Sequence, residues 1–466
     1  MQTLVMIPAV LRVLMVSLLV LLAIRRNLSL GNALFLGALI LGALFGLSPI
    51  AMLKSVVGSL IHPKTLALTV MVCLILVFSH SMEAAGQMER LLDRFQRLIA
   101  PPRINMVVFP ALIGLLPMPG GAIFSAPMVK TLGARLQLSS AQLSFINYWF
   151  RHIREYWWPL YPGVLLTTAL ANLNLWLFVL YLFPLTGVAL AIGYWPLRNL
   201  RGNARNCDKA LECQPIQAQT SLRHPGPFAN ANDPQAKEDL ATGAAAPSSR
   251  PQLLPFLREL LPILIVICLG LAGGALLSVL LQSYQISITK ELGLIFSLLV
   301  SIFWVWGKNR LPASARWQIL KQRQLLNMFY MVAAILIFKG MLEDSRAVAL
   351  ISQELLDWRI PLMPICMILP FLVGGVVGLT IAFVGTTFPI LISLLQVLNE
   401  TQYMLPYMML ALVSGFVGVL LSPLHLCLLL SNEYFQTPLA PVYCFLWTPC
   451  AVLLVTACLY FFALHG

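Results

Sequence analysis

Long apolar runs alternate with short polar segments along most of the chain, which is the pattern of a polytopic membrane protein. An α-helix needs about 20 predominantly apolar residues to cross the hydrocarbon core of a bilayer. The pattern predicts about ten such helices, at approximately 4–24, 30–49, 65–82, 142–172, 174–196, 258–282, 289–307, 325–342, 403–430 and 438–463. The predicted fold class is therefore an all-α polytopic membrane protein.

Two further apolar stretches, at about 104–129 and 361–396, are interrupted near their middles by proline and glycine. The first contains LPMPGGAIFSAP (116–127), and the second contains VGTTFP (384–389). Irregular backbone at membrane depth is tolerated only where protein or a water-filled cavity surrounds it, because its polar groups lack internal hydrogen bonds. We predict that each stretch forms a re-entrant hairpin whose tip reaches the midplane.

An amphipathic segment precedes each interrupted stretch, at 88–103 and at 345–359. Such segments are typical of helices that lie in the membrane interface. We expect both to form helices that lead into the hairpins. Their matching positions indicate that the two halves of the chain are related.

A polar segment at 197–252 divides the chain almost at its middle. It is rich in Pro, Ala, Gln, Asn and Ser and contains almost no aliphatic run. Such a composition cannot bury enough apolar surface to fold. We predict a flexible cytoplasmic linker between a first transmembrane repeat (1–196) and a second one (253–466).

Short sequence matches support this duplication. FSHSME (78–83) corresponds to FKGMLE (338–343) at an offset of 260, and the later matches pair Pro127 with Pro389 and Pro159 with Pro423, at offsets of 262 and 264. The common order and the nearly constant offset predict two copies of one unit. Because each copy has about five crossings, an odd number, the second copy enters the membrane in the opposite orientation, as in many secondary transporters. The chain is thus predicted to contain two inverted repeats.

The distribution of basic residues predicts how the chain is oriented in the membrane. The sequence has 30 Lys and Arg against 17 Asp and Glu, a formal net charge of +13, although only 10% of its residues are charged. Basic residues of membrane proteins collect in cytoplasmic loops. Most of them fall in cytoplasmic loops here if both termini face outward. We therefore expect a multi-pass membrane protein with external termini and no nucleic-acid partner.

Six candidate substrate-binding residues lie at the predicted hairpin tips: Gly120, Gly121, Ser125, Gly385, Thr386 and Thr387. Two hairpins that meet tip to tip bring glycine backbone and helix N-termini to the midplane. Helix N-termini attract anions, whereas carbonyl groups freed from helices suit a cation such as Na⁺. The alternative is that these residues only let the chain turn or let helices pack closely.

Polar and ionisable residues within predicted helices form a second candidate group: Asn147, Arg151, His152, Arg154 and Glu155 in the helix at 142–172, and His425 in its equivalent. Charges buried in a membrane are costly and usually mark a pathway or a paired network. Arg151 and Glu155 are spaced to pair on one helix face. The other interpretation is a cytoplasmic helix end, with Tyr156, Trp157 and Trp158 at the interface. Pro159 favours a broken helix, and His425 is either a hydrogen-bonded packing residue or a proton carrier.

LPMPGGAIFSAPMV (116–129) followed by INYWFRHIREYWWPLYPG (146–163) resembles the hallmark of domain of unknown function family 401, a family of prokaryotic integral membrane proteins. That family is grouped with the ion transporter superfamily, and the resemblance implies a location in the prokaryotic inner membrane. The resemblance implies an anion-carrier fold with two hairpins and broken helices around a central site. Relatives in the superfamily move carboxylates, gluconate, citrate or arsenite, often with Na⁺ or H⁺. The Ser-Asn-Thr tips of the sodium–dicarboxylate branch are absent, so neither dicarboxylate specificity nor Na⁺ coupling carries over.

Together these features predict a secondary active transporter of a small anionic solute, either carboxylate-like or an oxyanion, that works by alternating access. The alternatives are an intramembrane enzyme and an anion channel on the same helical scaffold. The sequence contains no H-E-x-x-H, no G-x-S-x-G and no paired intramembrane aspartates, which disfavours an enzyme.

The 9 cysteines contain no C-x-x-C pair and predict neither a disulfide framework nor a metal site. No cofactor is expected, and coupling to Na⁺ or H⁺ is left open. The expected partners are the solute and the lipid bilayer, with a homodimer as a further alternative.

Overall fold

The computed structural model describes residues 7–26, 28–96, 102–115, 122–198, 253–280, 289–357 and 361–465. Within these ranges the chain forms α-helices and one short 3₁₀ turn, and no β-strand occurs there. The predicted all-α class is therefore confirmed. Most of the predicted linker at 197–252 lies outside the described residues.

The described part of the first half contains ten α-helices. They are α1 (Ala9–Arg25), α2 (Leu30–Leu44), α3 (Pro49–Ile61), α4 (Pro63–Ala84), α5 (Gln87–Gln96), α6 (Pro102–Ile113), α7 (Ala122–Arg135), α8 (Ser140–His152), α9 (Pro162–Leu170) and α10 (Leu175–Arg198).

The described part of the second half also contains ten α-helices. They are α11 (Leu253–Leu280), α12 (Thr289–Lys308), α13 (Ala313–Leu320), α14 (Arg323–Asp344), α15 (Ala347–Asp357), α16 (Leu362–Val377), α17 (Thr380–Val397), α18 (Met404–Leu420), α19 (Leu426–Phe435) and α20 (Leu439–His465). The 3₁₀ turn (Thr401–Tyr403) directly precedes α18.

Eight helical segments of the described chain are long and apolar enough to cross a membrane, which confirms the predicted membrane class. They are Thr65–Ala84, Leu175–Tyr194, Leu253–Gly274, Glu291–Lys308, Ala313–Asp344, Thr380–Val397, Thr401–Leu420 and Leu439–His465. The predicted spans at 4–24 and 30–49 correspond to α1 and α2, which have only 17 and 15 residues. These two helices are too short to count among the eight.

Two of the predicted spans are each divided into two helices. The span predicted at 142–172 consists of α8 and α9, and the span predicted at 403–430 consists of α18 and α19. Pro159 and Pro423 lie in the two breaks. Proline lacks a backbone N–H, and its ring collides with the carbonyl group one turn earlier in a helix. The broken helix expected at Pro159 is thus confirmed, whereas the continuous helix expected at 403–430 is wrong.

The two interrupted stretches form pairs of helices that pack against each other, α6 with α7 and α16 with α17. Residues 116–121, which include Gly120 and Gly121, lie outside the described residues. The second pair turns at Gly378, which has a φ of +69°. Glycine adopts this left-handed conformation without steric cost and commonly ends helices.

The tip of the second pair therefore differs from the one expected at Gly385, Thr386 and Thr387. These three residues lie within α17 and are buried, and the helix also accommodates Pro389. The Thr386 and Thr387 hydroxyls donate to carbonyl groups of their own helix, those of Ala382 and Phe383, at 2.8 and 2.7 Å. The chain turns earlier because Gly378 supplies the left-handed conformation that a tight turn needs.

The most deeply buried helices are α8, α9 and α18, in which nearly every residue is buried, and most of α17 is buried as well. The buried positions include polar residues such as Ser144, Asn147 and Ser414. By contrast, α1, α3 and α20 expose large apolar side chains such as Leu18, Ile50 and Leu459, as helices that face lipid do. The centre of the molecule is therefore formed by helices that adjoin the breaks and the turns.

Candidate functional site

The two helix breaks and the α16–α17 turn meet at one cavity of about 290 Å³. The end of α8 and the first break contribute Arg151, Glu155 and Tyr161. The turn contributes Gly378, Leu379 and Thr380, and the second break with the start of α19 contributes His425, Leu426 and Cys427. Apolar side chains of α2, α4 and α14 close the other side, among them Leu30, Leu76 and Met331. The cavity thus lies where backbone leaves the helical conformation in three separate segments.

Turns keep the first break hydrogen-bonded although it is not helical. The Glu155 amide donates to the His152 carbonyl at 2.9 Å, and the Trp158 amide donates to the Arg154 carbonyl at 2.8 Å. Upstream, α8 begins at a capping box between Ser139 and Gln142, which satisfies amide groups that the first helical turn leaves free. The break is therefore an ordered structure that can hold ionisable side chains in place.

Arg151 and His152 are buried, with 2% and 0% of their surfaces exposed. A cytoplasmic helix end would place its arginine among lipid headgroups, in contact with water. The burial instead favours the interpretation of a paired network, and Glu155 lies close by, with its carboxylate 3.6 Å from Nε2 of His152. The ionisable residues of this break thus face the interior of the protein.

Two histidines join the breaks across the cavity wall. Nε2 of His425 lies 3.1 Å from Nε2 of His152, and their rings are nearly perpendicular. Nδ1 of His152 lies 2.6 Å from the Tyr148 carbonyl oxygen, and the Tyr148 hydroxyl donates to the carbonyl of Leu420 at 3.1 Å. Since Leu420 is the last residue of α18, Tyr148 ties the end of α18 to α8.

A second polar network connects α7, α8 and α19. The Ser125 hydroxyl donates to Oδ1 of Asn147 at 2.5 Å. The Asn147 amide group donates to the Ala122 carbonyl and to the Ser431 hydroxyl, both at 2.9 Å. The Ser144 hydroxyl also donates to Oδ1 of Asn432. Asn147 therefore holds the start of α7 against α19, deep inside the molecule.

A family model described as "Protein of unknown function (DUF401)" matches residues 8–212 and 257–464. The chain belongs to this family. The match covers both halves and omits only the two ends and a central segment. No curated protein sequence matches the chain.

The structure brings some of the predicted site residues of this DUF401 protein together and separates others. Arg151, Glu155 and His425 line the cavity, and His152 contacts His425 beside it. Ser125 and Asn147 pair with each other in the second network. Both broken helices therefore contribute predicted residues to one region.

Other predicted residues do not join this region. Gly385 packs against α14, where a Cβ atom would lie only 2.7 Å from Ile335. Close packing of helices is the alternative interpretation that the sequence allows for the predicted tip residues, and Gly385 fits it. Arg154 lies within the first break, is partly buried and does not line the cavity.

Sequence reasoning missed several residues of the site, namely Tyr148, Tyr161, Gly378, Cys427 and Ser431. One signal was available, because the match between WWPLYPG and LLSPLHL places the segment around His425 and Cys427 opposite the first break. No signal in the sequence indicated Tyr161, whose hydroxyl donates to the Gly114 carbonyl at 2.9 Å. That contact ties the end of α6 to the first break.

Proposed function

We propose that this DUF401 protein is a secondary transporter that carries a small anionic solute, carboxylate-like or an oxyanion, by alternating access. The observation that carries the proposal is the cavity between the two helix breaks and the α16–α17 turn, with the Arg151 side chain in its wall. A buried guanidinium presents fixed donors that suit carboxylate and oxyanion groups. The volume of about 290 Å³ lies at the small end of ligand pockets.

The order of the helices supports the proposal of two repeats. Each helix of the first half has a counterpart ten places later in the order of helices. Helices α4, α6, α8 and α10 begin at Pro63, Pro102, Ser140 and Leu175. Their counterparts α14, α16, α18 and α20 begin at Arg323, Leu362, Met404 and Leu439, at nearly the same spacing. Lengths correspond as well, since α4 and α14 both have 22 residues. An internal duplication accounts for this agreement.

Contacts between the halves are reciprocal. Helix α2 packs on α14, and their counterparts α12 and α4 also pack together. In the same way α1 packs on α15 and α11 packs on α5. The third matched pair is α9 with α17 and α19 with α7. Two copies related by a pseudo-two-fold axis produce this exchange of partners. Inverted repeats with discontinuous helices at their interface are a common plan of secondary transporters.

The paired helices of the interrupted stretches support the proposal of re-entrant hairpins. Helices α6 and α7 have 12 and 14 residues, and each is therefore about 20 Å long at 1.5 Å per residue. The hydrocarbon core is about 30 Å thick. The two arms of the first pair are thus suited to enter the membrane part-way and return, whereas α17 of the second pair is long enough to cross it.

A cluster of basic residues supports a cytoplasmic position for the linker. Arg90, Arg258 and Lys308 lie together around Glu259 near the start of α11, which follows the linker. Positive charge is retained on the cytoplasmic side of membrane proteins. We propose that this end of the molecule faces the cytoplasm of a prokaryotic cell and that both termini face outward.

Alternating access requires that one part of the protein move past another. The cavity wall has two parts, α2, α4 and α14 on one side and the breaks with the α16–α17 turn on the other. We propose that the first set holds still while the part with the helix pairs moves. Such a movement would expose Arg151 to each side of the membrane in turn.

Transport can be tested in proteoliposomes. A thermal-shift screen against carboxylates, oxyanions and cations first identifies an anion that raises the unfolding temperature, since a ligand that binds only the native state stabilises it. We expect wild-type protein to accumulate that anion against its gradient and Arg151→Gln to lose the uptake. The matched control is Arg12→Gln, because Arg12 is also buried but lies on α1 beside Phe45.

Three outcomes would contradict the proposal. Flux that only equilibrates the anion would indicate the channel, and chemical conversion of the anion would indicate the enzyme. Uptake that survives in Arg151→Gln and is lost in Arg12→Gln would move the site away from this cavity.

A further inference from the structure

Three potential metal ligands converge beside the cavity. His152, His425 and Cys427 each offer one donor atom, and these atoms all lie within 4.8 Å of one another. The two Nε2 atoms are 3.1 Å apart. A carboxylate oxygen of Glu155 lies 3.6 Å from Nε2 of His152 and adds a fourth donor. His152 is the last residue of α8, Glu155 lies in the first break, His425 lies in the second break, and Cys427 lies at the start of α19.

These separations resemble the edges of a tetrahedral coordination site. Zinc–nitrogen bonds of about 2.0–2.1 Å place two ligating nitrogens about 3.3 Å apart in a tetrahedron. The separations of 3.1 and 3.6 Å lie on either side of this value. The other separations among His152, His425 and Cys427 are at most 4.8 Å, so these side chains would draw closer together around a bound ion.

The orientation of His152 also fits a metal ligand. Its Nδ1 lies 2.6 Å from the Tyr148 carbonyl oxygen, and a carbonyl oxygen can only accept. Nδ1 therefore carries the proton, and Nε2 of the neutral ring presents its lone pair to His425 and Cys427. Histidines that bind metals usually donate their other N–H to a carbonyl or a carboxylate in this way.

The burial and the charges of these side chains also favour a bound metal ion. Only 0%, 6% and 8% of the surfaces of His152, His425 and Cys427 are exposed. A thiolate from Cys427 and a carboxylate from Glu155 match the charge of a divalent cation, whereas unpaired charges inside a protein are costly.

We propose that His152, His425 and Cys427, with Glu155 as the fourth ligand, bind a Zn²⁺ ion between the two helix breaks. Two imidazole nitrogens, one thiolate and one carboxylate form a donor set typical of zinc. Mg²⁺ and Ca²⁺ prefer oxygen ligands alone. The ion joins α8 to α19 and fixes both breaks in one arrangement. This inference does not depend on the proposed transport activity.

Co²⁺ provides a spectroscopic test with the purified full-length protein after removal of any affinity tag. We expect wild-type protein to bind about one Co²⁺ per chain, with the d–d bands of a tetrahedral site and a thiolate-to-cobalt charge-transfer band. Added Zn²⁺ should abolish both. Cys427→Ser should lose the charge-transfer band, and His425→Ala should lose tetrahedral binding. The matched control is Cys366→Ser, because Cys366 is equally buried but lies on α16, outside the cluster.

X-ray absorption spectroscopy of the Zn²⁺-loaded wild-type protein requires no variant, so misfolding of a variant cannot affect its result. We expect one sulfur ligand at about 2.3 Å and nitrogen or oxygen ligands at about 2.0 Å. The proposal is overturned if the wild type shows no thiolate band, if zinc has no sulfur ligand, or if Cys366→Ser loses the band while Cys427→Ser keeps it. If the wild-type protein binds the metal in this way but transports no anion, the proposed function is wrong and the zinc site stands.

Discussion

At the residue scale, Gly378 fixes where α16 turns into α17 at the edge of the cavity. Its φ of +69° lies in the left-handed region. A Cβ atom at this position would lie 2.9 Å from the Ser422 hydroxyl and 3.1 Å from the His425 backbone nitrogen. Both neighbours belong to the second helix break. The absence of a side chain at one residue thus allows the turn and the break to approach each other.

We predict that Gly378→Ala destabilises the protein more than Gly46→Ala. Gly46 also has a positive φ, of +77°, but a Cβ atom there would meet nothing within 4 Å. Gly46→Ala therefore costs only the backbone strain of about 1–2 kcal/mol, whereas Gly378→Ala adds steric overlap at the cavity. Thermal unfolding of the detergent-purified variants measures the difference. Equal losses would show that the close approach at Gly378 contributes nothing.

Asn147 offers a second prediction at this scale. Asn147→Ala removes the partner of the Ser125 and Ser431 hydroxyls and of the Ala122 carbonyl, which lie in the interior. Each buried group left unsatisfied costs about 1–3 kcal/mol. We expect a clear decrease in unfolding temperature, while Asn32→Ala at an exposed position of α2 should change it little. An unchanged temperature for Asn147→Ala would contradict the role of this network.

Some of these residues could be predicted from the sequence and others could not. Asn147 is a candidate because polar residues are rare in apolar runs, and Ser125 is one because it lies at a predicted hairpin tip. Their pairing could not be predicted, because it depends on how α7 packs against α8. Gly385 and Thr387 were placed at a tip because Pro389 follows them, but α17 accommodates this proline.

At the element scale, tyrosine hydroxyls satisfy carbonyl groups where helices stop. The last carbonyl groups of a helix have no partner within that helix. Tyr148 donates to the Leu420 carbonyl at the end of α18, and Tyr161 donates to the Gly114 carbonyl just after α6. Both tyrosines belong to the segment of α8 and its break. That segment therefore stabilises the ends of two other helices.

We predict that Tyr148→Phe lowers the unfolding temperature because the Leu420 carbonyl loses its donor. A lost hydrogen bond with one buried partner left behind costs about 1–3 kcal/mol. Tyr330→Phe is the matched control, since 41% of Tyr330 is exposed. Comparison of the two unfolding curves measures the effect, and indistinguishable curves would exclude this role of the Tyr148 hydroxyl.

The elements themselves were only partly predictable. The amphipathic segments expected at 88–103 and 345–359 are confirmed as helices in α5 and α15, while their position in the membrane interface stays a prediction. The break at Pro159 is confirmed, but the one before His425 was not predicted, since the long apolar runs on both sides of Ser422 and Pro423 favour one continuous helix. Cys427 was not predicted as a site residue because His152, one of its two neighbours in the cluster, lies in the other half of the chain, and only the fold brings such distant residues together.

At the scale of the whole molecule, helices of one half pack against helices of the other. Contacts of α2 with α14 and of α4 with α12 cross the divide between the halves. At one end, Arg90 donates to Asn309 at 2.7 Å, and Gln87 donates to the Glu259 carbonyl at 3.0 Å. These polar contacts attach α5 to α11 and α12. The two halves therefore form one structure.

We predict that a membrane-impermeant maleimide labels Cys207 and Cys213 in inverted membrane vesicles and leaves them unlabelled in intact spheroplasts. Both cysteines lie in the polar segment between the halves, which we propose to be cytoplasmic. Labelling detected by a mass shift should disappear in the Cys207→Ser/Cys213→Ser double variant, which serves as the control. Labelling of these two cysteines in intact spheroplasts would reverse the proposed orientation.

The class of the whole molecule was predictable, because hydropathy depends on local composition. The membrane-protein class and the all-helical structure are confirmed. The inverted repeat and the orientation stay predictions. The number of long spans differs from the one expected, because α1 and α2 have only 17 and 15 residues, the stretch at 142–172 is divided into α8 and α9, and α17 is long enough to count as a span.

The exchange of helix partners between the halves has a consequence for biogenesis. When the ribosome has completed α2 and α4, their partners α14 and α12 have not yet been synthesised. The newly inserted first half therefore waits in the bilayer with faces that only later helices can cover. Assembly of this protein must be completed after translation of its second half, and two halves made as separate polypeptides should find each other in the membrane.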